Sequence, residues 1–203
     1  MTLKIETLDQ LRAIYNQPSE TAVRKQLTTL DIHCQHFLAL SPFVVLATNG
    51  VNGSNATPRG GPRGFVLSRD DHTLLIPDWP GNNRLDSLTS ILENSQVGLL
   101  FLVPGVNETL RVNGIAEIRT DAELLERFRT HGRIPLTVLV VEVKEVYLHC
   151  AKAFLRADLW NEEAKVDRSL LPSLGEMLKD QLQLSNPPES QQAMETRYKN
   201  KLY

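Results

Sequence analysis

Residues that could bind an anion are concentrated in one short segment near the middle of the chain, residues 77–87. It reads Pro-Asp-Trp-Pro-Gly-Asn-Asn-Arg-Leu-Asp-Ser and joins an apolar run to a segment with helical spacing. Because prolines and a glycine follow the apolar run, the pattern predicts a strand, a turn and then a helix. The first turn of a helix presents unpaired N–H groups and a partial positive charge. Arg84 adds a guanidinium that matches phosphate oxygens, so the segment is typical of a phosphate site.

A second segment, residues 57–64, has similar chemistry and reads Thr-Pro-Arg-Gly-Gly-Pro-Arg-Gly. Glycine lets a backbone approach a ligand closely, and Arg59 and Arg63 are both candidate phosphate ligands. The glycines leave the register of this segment ambiguous, and we favour Arg59. Taken alone, residues 82–84 are explained better by an asparagine cap and a solvated arginine. Two such segments beside one hairpin favour an anion site instead.

The chain is expected to form one domain, residues 1–203, in three parts. These are a helical N-terminal segment (1–40), a β core (41–160) and a helical C-terminal extension (161–203). Apolar runs in the core predict six antiparallel strands, at residues 43–48, 65–67, 73–76, 97–103, 109–120 and 136–148. Short helices are predicted at residues 84–94 and 121–130, and Gly114 indicates a bulge.

These elements predict a mainly β fold with peripheral helices. Six strands joined by hairpins favour a small antiparallel barrel, closed or partly closed. Apolar residues occupy both faces of the sheet, which therefore needs closure or a partner chain to cover it. A dimer is the expectation that follows.

Composition limits the partners of this protein. The 22 basic and 24 acidic side chains leave a net charge of −2, which argues against a nucleic-acid partner. No apolar run reaches the length of a membrane helix, and the first ten residues are unlike a signal peptide. Cys34 and Cys150 form neither a metal-binding nor a disulfide pattern, so no metal is expected. The expectation is a cytoplasmic protein without a membrane partner.

Several motifs occur in an order that resembles the FMN-dependent flavoproteins related to pyridoxamine 5′-phosphate oxidase. Besides the two segments above, they are Ser-Pro-Phe from residue 41, Gly-Leu-Leu-Phe-Leu-Val-Pro-Gly from residue 98, Glu-Thr-Leu-Arg-Val-Asn-Gly-Ile-Ala from residue 108, and His-Cys-Ala-Lys-Ala from residue 149. The resemblance covers roughly residues 40–160. It implies a six-stranded FMN-binding split β-barrel, and a homodimer with FMN at the subunit interface.

The resemblance also implies which residues bind FMN. The Asn-Asn-Arg corner and Ser87 match the segment that holds the FMN phosphate, and Arg59 or Arg63 matches an arginine that reaches the same phosphate. The backbone at residues 76–78 matches the edge of the isoalloxazine, and the strand from residue 109 approaches the flavin, often from the second subunit. Lys152 is favoured to lie over the flavin or a substrate anion. The candidate residues are Arg59, Arg63, Ile76, Pro77, Asp78, Asn82, Asn83, Arg84, Ser87, Thr109, Arg111 and Lys152.

Two classes of function fit these residues. The leading hypothesis is an FMN-dependent oxidoreductase acting on an unidentified small molecule, because FMN carries its own redox chemistry. No Ser-His-Asp order and no paired carboxylates are present, so no catalytic residue is assigned. The alternative is a carrier or sensor that binds flavin, haem or deazaflavin without turnover. The chain lacks the tryptophan-and-arginine segment with which true pyridoxamine 5′-phosphate oxidases bind pyridoxal phosphate, so the resemblance does not extend to that substrate.

Three further side chains have two interpretations each. Trp79 either packs in the turn or stacks on the flavin or a partner chain, and packing is favoured. His149 and Cys150, at the end of the last strand, are either a reactive pair or a satisfied neighbour and a small buried residue.

Overall fold

The protein is built around one seven-stranded antiparallel sheet, seen in a computed structural model that describes residues 4–203. The strands are β1 (Phe43–Gly50), β2 (Gly53–Gly60), β3 (Leu67–Asp70), β4 (Thr73–Asp78), β5 (Gln96–Leu102), β6 (Thr109–Arg119) and β7 (Thr137–His149). Their order across the sheet is β2-β1-β5-β6-β7-β4-β3, and every neighbouring pair is antiparallel. This confirms the mainly β antiparallel fold that the sequence predicts.

Eight α-helices accompany the sheet within residues 4–203. They are α1 (Leu8–Arg12), α2 (Glu20–Arg24), α3 (Ile32–Leu40), α4 (Asp86–Glu93), α5 (Ala122–Glu126), α6 (Lys152–Ala157), α7 (Leu174–Leu182) and α8 (Gln191–Lys199). Among them, α3, α4 and α8 bury side chains, whereas the others bury none. In this described part of the chain, no helix has the length and apolar character needed to cross a membrane.

The prediction of six strands is wrong, because residues 53–60, for which no strand was predicted, form strand β2. Its sequence contains two glycines and Pro58, which normally argue against a strand. However, β2 is the outermost strand and pairs only with β1, where Pro58 lies opposite Val45. An edge strand tolerates proline because not every N–H in it has to bond to a neighbouring strand.

The sheet curls so that one face, which we call the inner face, encloses the main core. Alternate residues of the central strands are buried there, including Val44, Leu99, Val112 and Val141. Helix α3 packs into the same core through Cys34. On the opposite, outer face, α5 covers a smaller cluster formed by β4 and β7. The outermost strands β2 and β3 are not hydrogen-bonded to each other, so the sheet is not closed.

The bulge predicted at Gly114 is confirmed. The register between β6 and β7 shifts between Asn113 and Gly114. A Cβ atom at Gly114 would lie 2.3 Å from the carbonyl oxygen of Glu142, a backbone atom that cannot move aside. The absence of a side chain at Gly114 therefore allows β6 and β7 to remain paired through the bulge.

We expect Gly114→Ala to lower the free energy of unfolding by about 1–3 kcal/mol, a range typical of inserting extra atoms into a packed core. Gly98→Ala in the adjacent strand is the matched control, because a Cβ there has ordinary contacts of 3.5 and 3.6 Å. It should be neutral or slightly stabilising. Urea unfolding of the three proteins measures both effects, and equal stabilities would contradict the role given to Gly114.

Candidate anion-binding site at the open edge of the sheet

A cleft of about 330 Å³ lies where β2, the end of β4 and the start of α4 meet. We call it the corner cleft. Six of the predicted residues line it: Arg59, Asp78, Asn82, Asn83, Arg84 and Ser87. Residues of the two candidate segments, 57–64 and 77–87, are therefore brought together across the open edge of the sheet.

Arg59 enters the cleft from the edge strand. It lies opposite Val44 in the register of β1 and β2, so its side chain is on the inner face. The guanidinium Nη2 lies 3.4 Å from Oδ1 of Asp78, at the end of β4, and both side chains are largely buried. Because β2 and β3 share no hydrogen bonds, this ion pair connects the two ends of the sheet directly.

The guanidinium of Arg59 is not fully satisfied. Its Nε is buried and has no hydrogen-bond partner within residues 4–203. A buried donor without an acceptor costs about 1–3 kcal/mol, and such groups are rare in native structures. An anion in the corner cleft would supply the missing acceptor.

The charge on Asp78 is also incompletely compensated. Burial raises the pKa of its carboxyl, and the charge of Arg59 lowers it by less, so the pKa stays above its usual value. The desolvation cost of the two charges therefore offsets much of their mutual attraction, so this ion pair is not strongly stabilising.

The start of α4 supplies backbone donors. The first helical hydrogen bond runs from the Thr89 N–H to the Leu85 carbonyl, and the N–H groups of residues 86–88 have no acceptor within residues 4–203. Leu85 occupies the N-cap position with a φ of 60°, and no side chain caps the helix. The alternative of an asparagine cap is therefore wrong. Asn82 instead accepts a hydrogen bond from the Arg84 N–H at 3.1 Å.

Ser87 attaches the helix to the edge strand. Its side chain is buried, and its hydroxyl lies 2.9 Å from the hydroxyl of Thr57. Thr57 and Arg59 are two residues apart on β2 and share its inner face. Thr57 was not among the predicted site residues, because the composition of residues 53–60 gives no strand signal and the pairing of β2 with β1 alone places Thr57 beside Arg59.

Arg84 is less well placed than its sequence position suggests. Its side chain is 73% exposed, and its Nε donates to Asp86 at 2.9 Å. An exposed arginine that already has a carboxylate partner offers little to a ligand. Among the predicted arginines, Arg59 is the one that is both in the cleft and largely buried.

Other predicted residues lie outside the corner cleft. Arg63 lines a separate cavity of about 210 Å³, together with Trp79 and Tyr203. The side chain of Ile76 belongs to the main core, and Pro77 is buried. Ile76 can therefore meet a ligand only through its backbone, whereas Pro77 also lines the cavity that contains Arg63.

Thr109, Arg111 and Lys152 are not brought to the cleft either. Arg111 lies opposite Leu100 and Tyr147 on the outer face, whereas Arg59 and Asp78 meet on the inner face. Thr109 is opposite His149 at the far end of β7, a strand of 13 residues whose first residue pairs with Asp78. Lys152 begins α6 beyond that end and is exposed. One chain alone does not assemble all the predicted residues.

Arg111 belongs to a polar cluster on the outer face that the sequence did not reveal. Its Nη1 donates to the hydroxyl of Tyr147 at 3.1 Å, and its guanidinium carbon lies 5.6 Å from the centre of that ring. Lys25 lies 5.2 Å from the same ring centre. The ring of His149 is 4.8 Å from that of Tyr147, and burial, Lys25 and Arg111 lower the His149 pKa.

The structure also distinguishes between the two interpretations of Cys150 and of Trp79. Cys150 is exposed, so its interpretation as a buried residue is wrong, and the backbone N–H of Lys152 lowers its pKa. Trp79 packs edge-to-face on Tyr203 at 5.0 Å, which agrees with the favoured packing role.

Comparison with known proteins identifies the family. A family model described as pyridoxamine 5′-phosphate oxidase matches residues 30–150, more than half of the chain. A comparison with curated proteins found no significant match.

Comparison with solved structures found partly similar chains from several bacteria. HupZ of Group A Streptococcus is 18% identical, with a TM-score of 0.48 over 58% of this chain and 92% of its own. A protein related to general stress protein 26, from Clostridium acetobutylicum, is 17% identical, with a TM-score of 0.45 over 58% and 86% of the two chains. An FMN-binding protein from Syntrophomonas wolfei is 13% identical, with a TM-score of 0.45 over 57% and 83%. It is the match to the family model, over the region that carries the motifs, which shows that the chain belongs to the pyridoxamine 5′-phosphate oxidase family.

Proposed function

We propose that the protein is a cytoplasmic, homodimeric flavoprotein that binds FMN and acts as an oxidoreductase on a small molecule. The observation that carries this proposal is the unsatisfied Nε of Arg59 in the corner cleft. Free N–H groups at the start of α4 line the same cleft. A phosphate would satisfy both sets of donors. Membership of the family makes the FMN phosphate the natural candidate.

The residues of the cleft fit a phosphate in position and chemistry. Arg59 and the start of α4 would hold the phosphate, with the side-chain amide of Asn82 beside them and Arg84 at the rim. Ser87 and Thr57 bond to each other, so we assign them to positioning the helix rather than to the ligand. When bound, FMN supplies the redox chemistry, and the protein supplies binding and orientation.

A second copy of the chain would complete the site. The outer face carries half-buried apolar residues that share rows of the sheet, including Phe43 with Leu102 and Val45 with Leu100. Arg111 lies next to this patch, opposite Leu100. Pairing of two such faces would cover the apolar rows and place Arg111 of one copy in the interface with the other. The homodimer remains a proposal that rests on this incompleteness.

Binding without turnover is the second candidate. The two carboxylates of the corner cleft are already engaged, Asp78 with Arg59 and Asp86 with Arg84. Within the described lining, no histidine, cysteine, lysine or tyrosine offers a spare proton. A flavin carrier or sensor would need none. Both cysteines are unpaired, which favours a reducing compartment for either function.

The arginines should contribute unequally to phosphate binding. We expect Arg59→Ala to weaken FMN binding by about 2–4 kcal/mol, as when one partner of a buried charge pair is removed. Arg84→Ala should cost at most about 1 kcal/mol because its side chain is exposed. Arg63→Ala is the matched control and should change nothing. Fluorescence titration with FMN and with riboflavin, which has no phosphate, measures these differences.

Riboflavin separates a binding role from a folding role. If Arg59→Ala loses riboflavin as well as FMN, Arg59 serves the fold. If FMN affinity is unchanged, the phosphate is held elsewhere. The double variant Arg59→Ala with Asp78→Asn removes the carboxylate that would otherwise be left unpaired, so that loss of FMN binding can be ascribed to the missing guanidinium.

The dimer should depend on the outer apolar face. We expect light scattering to give twice the mass of one chain, and Val45→Lys to give a monomer with weakened FMN binding, because it places a charge in the apolar rows. Val51→Lys, in the exposed turn between β1 and β2, is the control. A wild-type monomer that binds FMN stoichiometrically would contradict the proposal.

Turnover distinguishes the enzyme from the carrier. We expect the FMN-loaded protein to lose its flavin absorbance with NADH or NADPH in the absence of oxygen, and to recover it when oxygen is admitted. Free FMN at the same concentration is the control. If NADH or NADPH bleaches the bound flavin no faster than free FMN, although dithionite still reduces the bound flavin, the carrier is favoured. A haem or deazaflavin absorption spectrum in the purified protein would show that this group, and not FMN, is the bound cofactor.

A further inference from the structure

A larger cavity adjoins the corner cleft and is not needed to bind a flavin phosphate. Its volume is about 890 Å³, and it lies between the turn after β4 and the end of α8. We call it the α8 cavity. Residues 79–82 line both spaces, so the corner cleft and the α8 cavity are neighbours. Its size is within the range of small-molecule sites, about 300–1,000 Å³.

The charges around the α8 cavity favour an anion. Arg133, Arg197 and Lys201 line it, and no Asp or Glu side chain does. Arg197 is compensated by a two-point contact with Glu189, at 2.7 and 3.0 Å. Lys201 makes no side-chain hydrogen bond or ion pair with any of residues 4–203, and Arg133 donates to the Tyr203 carbonyl. Cations without a carboxylate in a concave site are typical of phosphate recognition.

The aromatic residues favour a planar ring. Trp79, Tyr198 and Tyr203 line the cavity, and Trp79 is held edge-to-face against Tyr203 at 5.0 Å. The ring of Tyr198 is 44% exposed, although Arg197 lies 4.6 Å from its centre. Base stacking on an aromatic side chain is worth about 1–3 kcal/mol. The cavity thus combines surfaces for a ring with cations for a phosphate.

We propose that the α8 cavity is a nucleotide subsite that takes an adenosine phosphate next to the FMN phosphate. The adenosine phosphate is either joined to the flavin, as in FAD, or part of a separate nucleotide. This inference rests on the proposed function, because the corner cleft must hold the flavin phosphate for the second subsite to adjoin it. The size of the cavity, the unpaired Lys201, the aromatic lining and the residues 79–82 that it shares with the corner cleft carry the assignment.

Two titrations test the assignment. In the first, AMP is added to the FMN-loaded protein and followed by calorimetry; in the second, FAD and FMN are compared on the FMN-free protein. Binding of AMP beside FMN identifies a separate nucleotide, and tighter binding of FAD than of FMN identifies the joined form. If AMP does not bind and FAD binds no more tightly than FMN, the proposal is overturned.

Variants of the cavity wall give the specific readout. Lys201→Gln and Tyr198→Leu should each lower the affinity for the adenosine phosphate about tenfold, which corresponds to about 1.4 kcal/mol, and leave FMN affinity unchanged. Lys199→Gln is the matched control, because Lys199 is the exposed last residue of α8, two positions before Lys201, and does not line the cavity. Equal effects of all three variants, or none, would also overturn the proposal. Binding of AMP without any binding of FMN would instead contradict the proposed function, while the α8 cavity would still be a nucleotide site.

Discussion

The contact between Arg59 and Asp78 is the interaction on which the candidate site depends. It joins the edge strand β2 to the end of β4, across the gap where the sheet has no hydrogen bonds. A charge pair in such a position has a directional effect that apolar contacts lack, because it defines which residues of the two ends face each other. The same pair leaves a guanidinium donor unsatisfied and a carboxyl pKa raised. The edge is thus held by an ion pair in which one buried guanidinium donor has no acceptor within residues 4–203.

Helix α4 converts this edge into a cleft. It contacts β1 most extensively and is tied to β2 through Ser87, so that its uncapped first turn lies beside Arg59. Asn83 and Leu85 adopt left-handed backbone conformations, which cost energy for residues other than glycine. The buried contacts of α4 hold that conformation in place. A capped helix in the same position would have used its own side chains to satisfy the N–H groups that are now free.

Part of the site could be predicted because its signals are local. Prolines, glycine and helical spacing act over a few residues, so the corner at residues 77–87 and the bulge at Gly114 follow from the sequence. Strand β2 could not be recognised in this way, because its pairing with β1 overrides its composition. The exposure of Arg84 agrees with the solvated arginine of the alternative interpretation and not with the favoured phosphate role, since Asp86 competes for its guanidinium. The contact of Arg111 with Tyr147 depends on a register between strands that the bulge alters.

The open edge of the sheet also couples ligand binding to folding. The cleft exists only after β2 has paired with β1 and β4 with β7, and β1 itself joins β5 from about fifty residues away along the chain. Such non-local pairing forms late and slowly. A ligand that requires both ends of the sheet binds the folded chain and not the unfolded one, so by mass action it stabilises the fold. At a ligand concentration of 100 Kd this amounts to about 2.7 kcal/mol. In the ligand-bound protein, the small molecule would complete the closure that the strands leave unfinished.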